Sequence, residues 1–199
     1  WGALVIEELR RLGVDYLCLS PGSRSAPLAI AAARCPELRV IVCHDERGAG
    51  FHAVGYARAA GRPAAILCTS GTAAANFFPA IVEASLDHVP LIVLTGDRPP
   101  ELHATGANQT IPQTALYGSY VRWQCDLPCP DERFPARALL GAIDLAHRHS
   151  LTPNPGPVHL NFRFREPLDP RPEPIGSMYL AEIDAWRQRA EPLTRYSRG

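Results

Sequence analysis

The stretch GYARAAGRPAAILCTSGTAAAN, residues 55–76, holds one complete unit of a fold. An alanine-rich helical pattern runs into Gly61-Arg62-Pro63, the glycine-then-proline stop of a helix. The run AAILCTS (64–70) follows, apolar without alternation, as in a strand covered on both faces. Ser70-Gly71-Thr72 then turns the chain into a second helical pattern. Helix, buried strand and helix in direct succession are the repeating unit of a parallel sheet.

The same pattern extends outward in both directions. Strand-like runs fall at 15–20, 39–44, 64–70, 90–97, 121–127 and 157–162, and helical patterns at about 3–11, 25–34, 46–60, 72–86 and 134–149. On helix 46–60, Phe51, Val54 and Arg58 lie near one stripe, with small alanines and glycines that permit close packing. Alternation of this kind predicts right-handed βαβ units. The expected fold is α/β, a doubly wound, mostly parallel sheet of about six strands with helices on both faces. Residues 1–166 form this domain. From 167 to 199 a proline-rich linker is expected, extended through EPLDPRPEPIG (166–176), leading into a further region, with a short helix at 179–190 anchored by Trp186.

The 199 residues are 46% hydrophobic and 20% charged, with 20 basic and 20 acidic side chains. Zero formal net charge provides no basic field for nucleic acid or an anionic membrane surface. No apolar run nears the ~18 residues of a membrane span. The chain opens on Trp1 without a signal-peptide pattern and reads as a fragment. Cys18, Cys43 and Cys68 sit in apolar runs, where a thiol packs as a small hydrophobe. Cys125 and Cys129 form a C-x3-C pair with no second pair or histidine motif beside it, which falls short of a zinc ligand set. A reducing cytosol is the expected compartment.

In an open parallel sheet, ligands bind beyond the carboxyl ends of the strands. The residues at those ends are Ser20-Pro21-Gly22-Ser23-Arg24-Ser25, His44-Asp45-Glu46-Arg47, Thr69-Ser70-Gly71-Thr72 and Thr95-Gly96-Asp97-Arg98-Pro99-Pro100. Four compact clusters of glycine, hydroxyl and charge on one edge point to a ligand site. Each cluster also has a plainer reading. Ser20, Ser23, Ser25 and Thr72 suit helix caps, Gly22 and Gly71 suit turns, and Asp45 and Glu46 suit a helix N-terminus. Arg47 suits a structural ion pair. Arg24 and Arg98 resist such a reading, because both sit at glycine- and proline-shaped turns that can present a guanidinium to a carboxylate or phosphate. A dinucleotide fingerprint, a lysine-bearing phosphate loop and a G-x-S-x-G elbow are all missing. The histidines are scattered, so no metal site is expected.

The runs SPGSRSAPL, then HDERGAGFHAVGYARAAGRPAAILCTSGTAAANFFPAIVEASLDHVPLIVLTGDRPPEL, then GANQTIPQ, resemble the pyrimidine-binding domain of thiamine-diphosphate enzymes. More narrowly, over about residues 1–170, they resemble the 2-succinyl-5-enolpyruvyl-6-hydroxy-3-cyclohexene-1-carboxylate synthase family. That resemblance implies an enzyme of menaquinone or phylloquinone synthesis that decarboxylates 2-oxoglutarate and adds the succinyl unit to isochorismate. It places Glu46 as the catalytic carboxyl hydrogen-bonded to the cofactor's pyrimidine N1′, where burial would raise its pKa. It sets Ser70, Gly71 and Thr72 beside the pyrimidine, and assigns Ser23, Arg24, Arg98, Asn108 and Gln109 to the dianionic substrates. Thiamine diphosphate and Mg2+ are the implied cofactors, with diphosphate and metal held by a separate domain bearing a G-D-G…N motif that this chain lacks. A homodimer or homotetramer follows, and the fragment alone is expected to be inactive. Two alternatives stay open: another thiamine-diphosphate 2-oxoacid decarboxylase or carboligase, and a non-catalytic module of the same fold.

Overall fold

The computed structural model describes residues 1–169 and 175–196. Six strands, β1 (Tyr16–Leu19), β2 (Arg39–Val42), β3 (Ala64–Cys68), β4 (Leu91–Asp97), β5 (Gln124–Leu127) and β6 (Pro157–Arg163), form one sheet in the order β2-β1-β3-β4-β6-β5. Every pairing is parallel. The expected doubly wound α/β sheet is therefore what the chain adopts.

Successive strand residues point to opposite faces, and both faces are covered. Leu17, Leu67, Leu94 and Leu160 pack with α1 (Gly2–Arg11), α2 (Ala26–Ala33) and α6 (Ala136–Leu151). Cys18, Ile66, Cys68 and Val93 pack with α3 (Glu46–Ala60), α4 (Thr72–Asn76) and α5 (Phe78–Leu86). That double cover is why the central runs are apolar at every position. Close packing on helix α3 is direct: a Cβ on Gly50 would lie 2.7 Å from the Ala80 Cβ of α5. Gly61, at φ +64°, ends α3 in the left-handed conformation that glycine adopts without penalty. No helix among the described residues is long and apolar enough to cross a membrane.

Three local expectations are corrected. The helical pattern at 72–86 is two helices, broken at Phe77. Pro79 explains the break, since it has no N–H to donate back along a continuous helix. Strand β5 starts at Gln124 rather than 121; the Arg122 amide before it still donates to the Pro157 carbonyl at 2.8 Å, while its guanidinium hydrogen-bonds Ser85 and the carbonyls of Asn154 and Pro155. The pattern at 179–190 resolves into two short helices, α7 (Ser177–Ala181) and α8 (Asp184–Arg187).

Part of the predicted extended stretch, 170–174, lies outside the described residues. Beyond it the chain folds back onto α1 and α6. Trp186 is buried, donates to Glu8 Oε2 at 2.6 Å, and carries the Arg11 guanidinium 3.9 Å above its ring. The Leu193 and Thr194 amides donate to Glu8 Oε1 at 2.5 Å and Asp144 Oδ2 at 2.7 Å. Glu8 and Asp144 are both fully buried. Burial, and then the neighbouring Glu8, push the Asp144 carboxyl well above the usual carboxylate range. Its Oδ1 meets no hydrogen-bond partner among the described residues.

Candidate functional site

The chain reverses direction across the sheet between β1 and β3, and the loops leaving those strands flank the switch point where such sheets bind ligands. Glycines let the loops touch. A Cβ on Gly22 would fall 2.3 Å from the Thr69 Cβ, and one on Gly96 would fall 2.7 Å from the Arg24 carbonyl oxygen. The Arg24 amide donates to Thr69 Oγ1 at 3.2 Å. Gly71, at φ +82°, leaves a gap that any side chain would drive into Gln109 Cγ at 2.8 Å. The loops after β1, β3 and β4 and the segment 106–113 thus form one connected rim.

Glu46 opens α3 at the end of β2. Asp45 caps the helix, accepting from the Arg47 and Gly48 amides and pairing with the Arg47 guanidinium at 2.8 Å. Arg47 is therefore the structural ion-pair partner expected. One oxygen of Glu46 accepts from Asn76 Nδ2 of α4 at 3.2 Å, and the other takes no hydrogen bond from the described residues. The side chain is only half-buried, which corrects the expectation of a carboxyl enclosed by apolar neighbours. The buried Cys68 thiol lies near enough to feel its charge.

Ser70 and Gln109 clasp one another: Ser70 Oγ donates to the Gln109 carbonyl at 2.9 Å, and Gln109 Nε2 donates to the Ser70 carbonyl at 3.0 Å. Gln109 adopts φ +56°, the strain that closes the clasp. Thr72, Ser23 and Asn108 are exposed on the rim. The capping role considered for the serines and Thr72 is not taken up. No side-chain cap bond is made at α2 or α4, and Ser25 Oγ donates instead to the Gly22 carbonyl.

The two arginines differ from what was expected. Arg24 is 2% exposed, and its guanidinium is already engaged, donating to the Phe164 carbonyl at 2.8 Å and to Glu166 Oε1 at 3.1 Å. It pins the chain after β6 to the rim and is not freely presented. Burial, and then the charge of Arg98, push its pKa below the ordinary value. Arg98 has no acidic partner among the described residues, and its Nε is buried without an acceptor. Two guanidiniums within electrostatic reach, one of them uncompensated, make an anion-seeking spot.

Beneath the rim lies a polar network that motif reading missed. Gln113 is fully buried; its Oε1 accepts from the Gly71 amide at 2.8 Å, and its Nε2 donates to the Gly96 carbonyl and to Asn161 Oδ1. Asn161 Oδ1 also accepts from Thr95, and its Nδ2 donates to Asp97 and Asp126, each at 2.8 Å. His159 Nε2 lies 2.8 Å from Thr95 Oγ1, and burial pushes its pKa down to about 3, so it is neutral. The signal was present in PVHLNF, where two polar residues sit two apart in an apolar strand and so share one face.

The rim residues line neither of two cavities found elsewhere. One of about 1200 Å³ lies against α1 and α2, and one of about 240 Å³ lies beside β5 and β6. The candidate site lies along the sheet edge, outside both cavities. The one group of three potential metal ligands among the described residues is Cys18, Cys43 and His52, which is not the oxygen set that Mg2+ requires.

Residues 1–116 match the family described as thiamine pyrophosphate enzyme, N-terminal TPP binding domain. Among curated proteins, the chain is similar to the 2-succinyl-5-enolpyruvyl-6-hydroxy-3-cyclohexene-1-carboxylate synthase of Chlorobium phaeobacteroides (strain BS1), with 53% identity over 99% of this chain and 34% of that protein. The synthase of the same name from Chlorobaculum tepidum is 50% identical over 100% of this chain and 34% of its own length. That of Shewanella frigidimarina is 50% identical over 99% and 35%. The chain spans about a third of the length of the curated relatives it matches.

Proposed function

Because the chain belongs to the family of thiamine pyrophosphate enzyme N-terminal TPP-binding domains, we propose that it forms the pyrimidine side of a 2-succinyl-5-enolpyruvyl-6-hydroxy-3-cyclohexene-1-carboxylate synthase. The reaction is decarboxylation of 2-oxoglutarate and transfer of the succinyl unit to isochorismate. The observation that carries this reading is Glu46, with one carboxyl oxygen held by Asn76 and the other free at the rim. When bound, thiamine diphosphate supplies an acidic thiazolium carbon that takes up a 2-oxoacid and accepts the electron pair left by loss of carbon dioxide.

The chain's own residues do the rest. Glu46 holds or yields a proton at the pyrimidine N1′, and the Ser70–Thr72 turn supports the ring edge. Arg98 meets a substrate carboxylate. Arg24 adds positive potential from beneath while keeping Phe164 and Glu166 in place. Ser23 and Asn108 offer hydrogen bonds from the exposed rim, and Gln109 offers its remaining N–H, since the other is committed to Ser70. Among the described residues no group of three carboxylate oxygens gathers to suit Mg2+, and we assign the metal and the diphosphate to a complementary domain. A partner subunit in a homodimer or homotetramer would supply it, in the cytoplasm.

The test is steady-state kinetics of the full-length protein with 2-oxoglutarate and isochorismate. Glu46→Gln should lower kcat by roughly 10²–10⁴-fold. Arg98→Ala should lower kcat/KM by roughly 10–100-fold, the worth of a charged hydrogen bond. Normal turnover by both variants would overturn the reading, in favour of another decarboxylase or a module without chemistry.

A further inference from the structure

Away from the rim, side chains from three separate elements meet at one point. Cys18 of β1, Cys43 just past β2 and His52 of α3 bring two sulfurs and a ring nitrogen within 4.8 Å of one another. Core packing alone accounts for Cys18, but not for a second thiol and an imidazole converging on it. We propose that Cys18, Cys43 and His52 form a binding site for a thiophilic divalent metal of the zinc class.

The fold dictates the convergence. Strands β1 and β2 pair in parallel with Leu19 opposite Val42, and the Cys43 amide donates to the Leu19 carbonyl at 2.9 Å. Cys18 faces α3, and Cys43 lies within hydrogen-bonding reach of it. Zn–S bonds of about 2.3 Å and Zn–N bonds of about 2.0 Å put tetrahedral ligands about 3.5 Å apart, so the cluster needs only about 1 Å of contraction. The imidazole is already oriented: the Tyr16 hydroxyl lies 2.8 Å from His52 Nε2, and Tyr16 is itself stacked on Tyr56 at 3.8 Å. A hydroxyl partner that steadies the ring is the usual outer support of a histidine ligand.

Burial grades from Cys18, fully enclosed, through Cys43 to the exposed His52. That gradient supplies an entry path and leaves the fourth position to water. Two thiolates balance a divalent charge, so the complex is neutral among apolar neighbours. Each thiol must lose its proton to bind, so uptake releases protons and strengthens as pH rises. The metal would tie β1 and β2 to the helix that begins with Glu46.

The experiment is titration of the reduced chain with Co2+, read by thiolate-to-cobalt charge-transfer absorption and then by displacement with Zn2+. One Co2+ per chain is expected, with the band lost in Cys43→Ser. In His52→Gln the metal should bind weaker by more than the roughly 10–100-fold that losing an outer partner costs. Both variants change residues with solvent access, and circular dichroism verifies that they fold. Absence of the band, or a band unchanged in Cys43→Ser and His52→Gln, would overturn the site.

Discussion

Gln113 has to satisfy three buried groups at once, and no other side chain among the described residues reaches both the Gly71 amide and the Gly96 carbonyl. It fixes the β3 turn to the β4 turn, and so sets the distance between the Ser70–Thr72 turn and Arg98. Leucine at this position has similar volume and cannot hydrogen-bond. Gln113→Leu would leave one buried N–H and one buried carbonyl unpaired, at about 1–3 kcal/mol each. Denaturant unfolding should therefore show a loss of about 2–5 kcal/mol with an unchanged slope; a loss below about 0.5 kcal/mol would mean that water already serves those groups. Arg24 illustrates why residue roles are harder to read than residue types. Its turn was legible as a place to hold a guanidinium, but its partners, Phe164 and Glu166, lie about 140 residues away in sequence. Nothing local announces them.

At the scale of elements, the strands and α3 were legible because their signals are local. The continuous apolar runs mark buried strands, and Gly61 with Pro63 stops α3 at the predicted residue. The break at Phe77 was also written in the sequence, in Pro79, and a stricter reading would have divided that helix. The return of 175–196 onto α1 and α6 was not legible, since the acids that receive it, Glu8 and Asp144, look like surface charges on amphipathic helices. Their burial carries a pH signature. Asp144 is raised from 3.8 to about 8, so between those values the folded chain keeps a proton that the unfolded chain has released. Its stabilisation is full below 3.8 and is lost as pH rises toward 8. His159 and His147 run the other way, with values lowered from 6.5 to about 3 and about 4; their contribution is full above 6.5 and is lost as pH falls. Asp144→Asn keeps an acceptor for the Thr194 amide and supplies a donor toward Glu8 without a titration. Thermal unfolding should show this variant more stable than the parent near pH 8, with the advantage vanishing by about pH 4. A variant less stable than the parent at pH 8 would refute the raised Asp144 value.

The whole molecule presents a site with one wall. Glu46, the Ser70–Thr72 turn and Arg98 lie along one edge of the sheet, outside the cavities at α1–α2 and at β5–β6, and no group of three carboxylate oxygens suited to Mg2+ gathers among the described residues. Next to that edge, Val42 and Phe51 are 55% and 47% exposed, and Gly48 and Gly55 of α3 leave open space above the helix. Apolar side chains and bare backbone beside a half-buried carboxyl are surfaces that another domain would cover, and covering them would supply the burial that Glu46 lacks here. On the proposed reading most of the cofactor's charge resides in its diphosphate, and no group of three potential metal ligands lies at this edge among the described residues. The proposed pyrimidine contacts alone would amount to a few hydrogen bonds, each worth about 0.5–1.5 kcal/mol net, and association must first offset lost translational and rotational freedom. Calorimetric titration of the 199-residue chain with thiamine diphosphate and Mg2+ should therefore give a Kd weaker than about 1 mM, or about −4 kcal/mol. The full-length protein should bind far more tightly under the same conditions. Tight binding by this chain alone would mean that the second wall is already present, and the division of the site between domains would have to be abandoned.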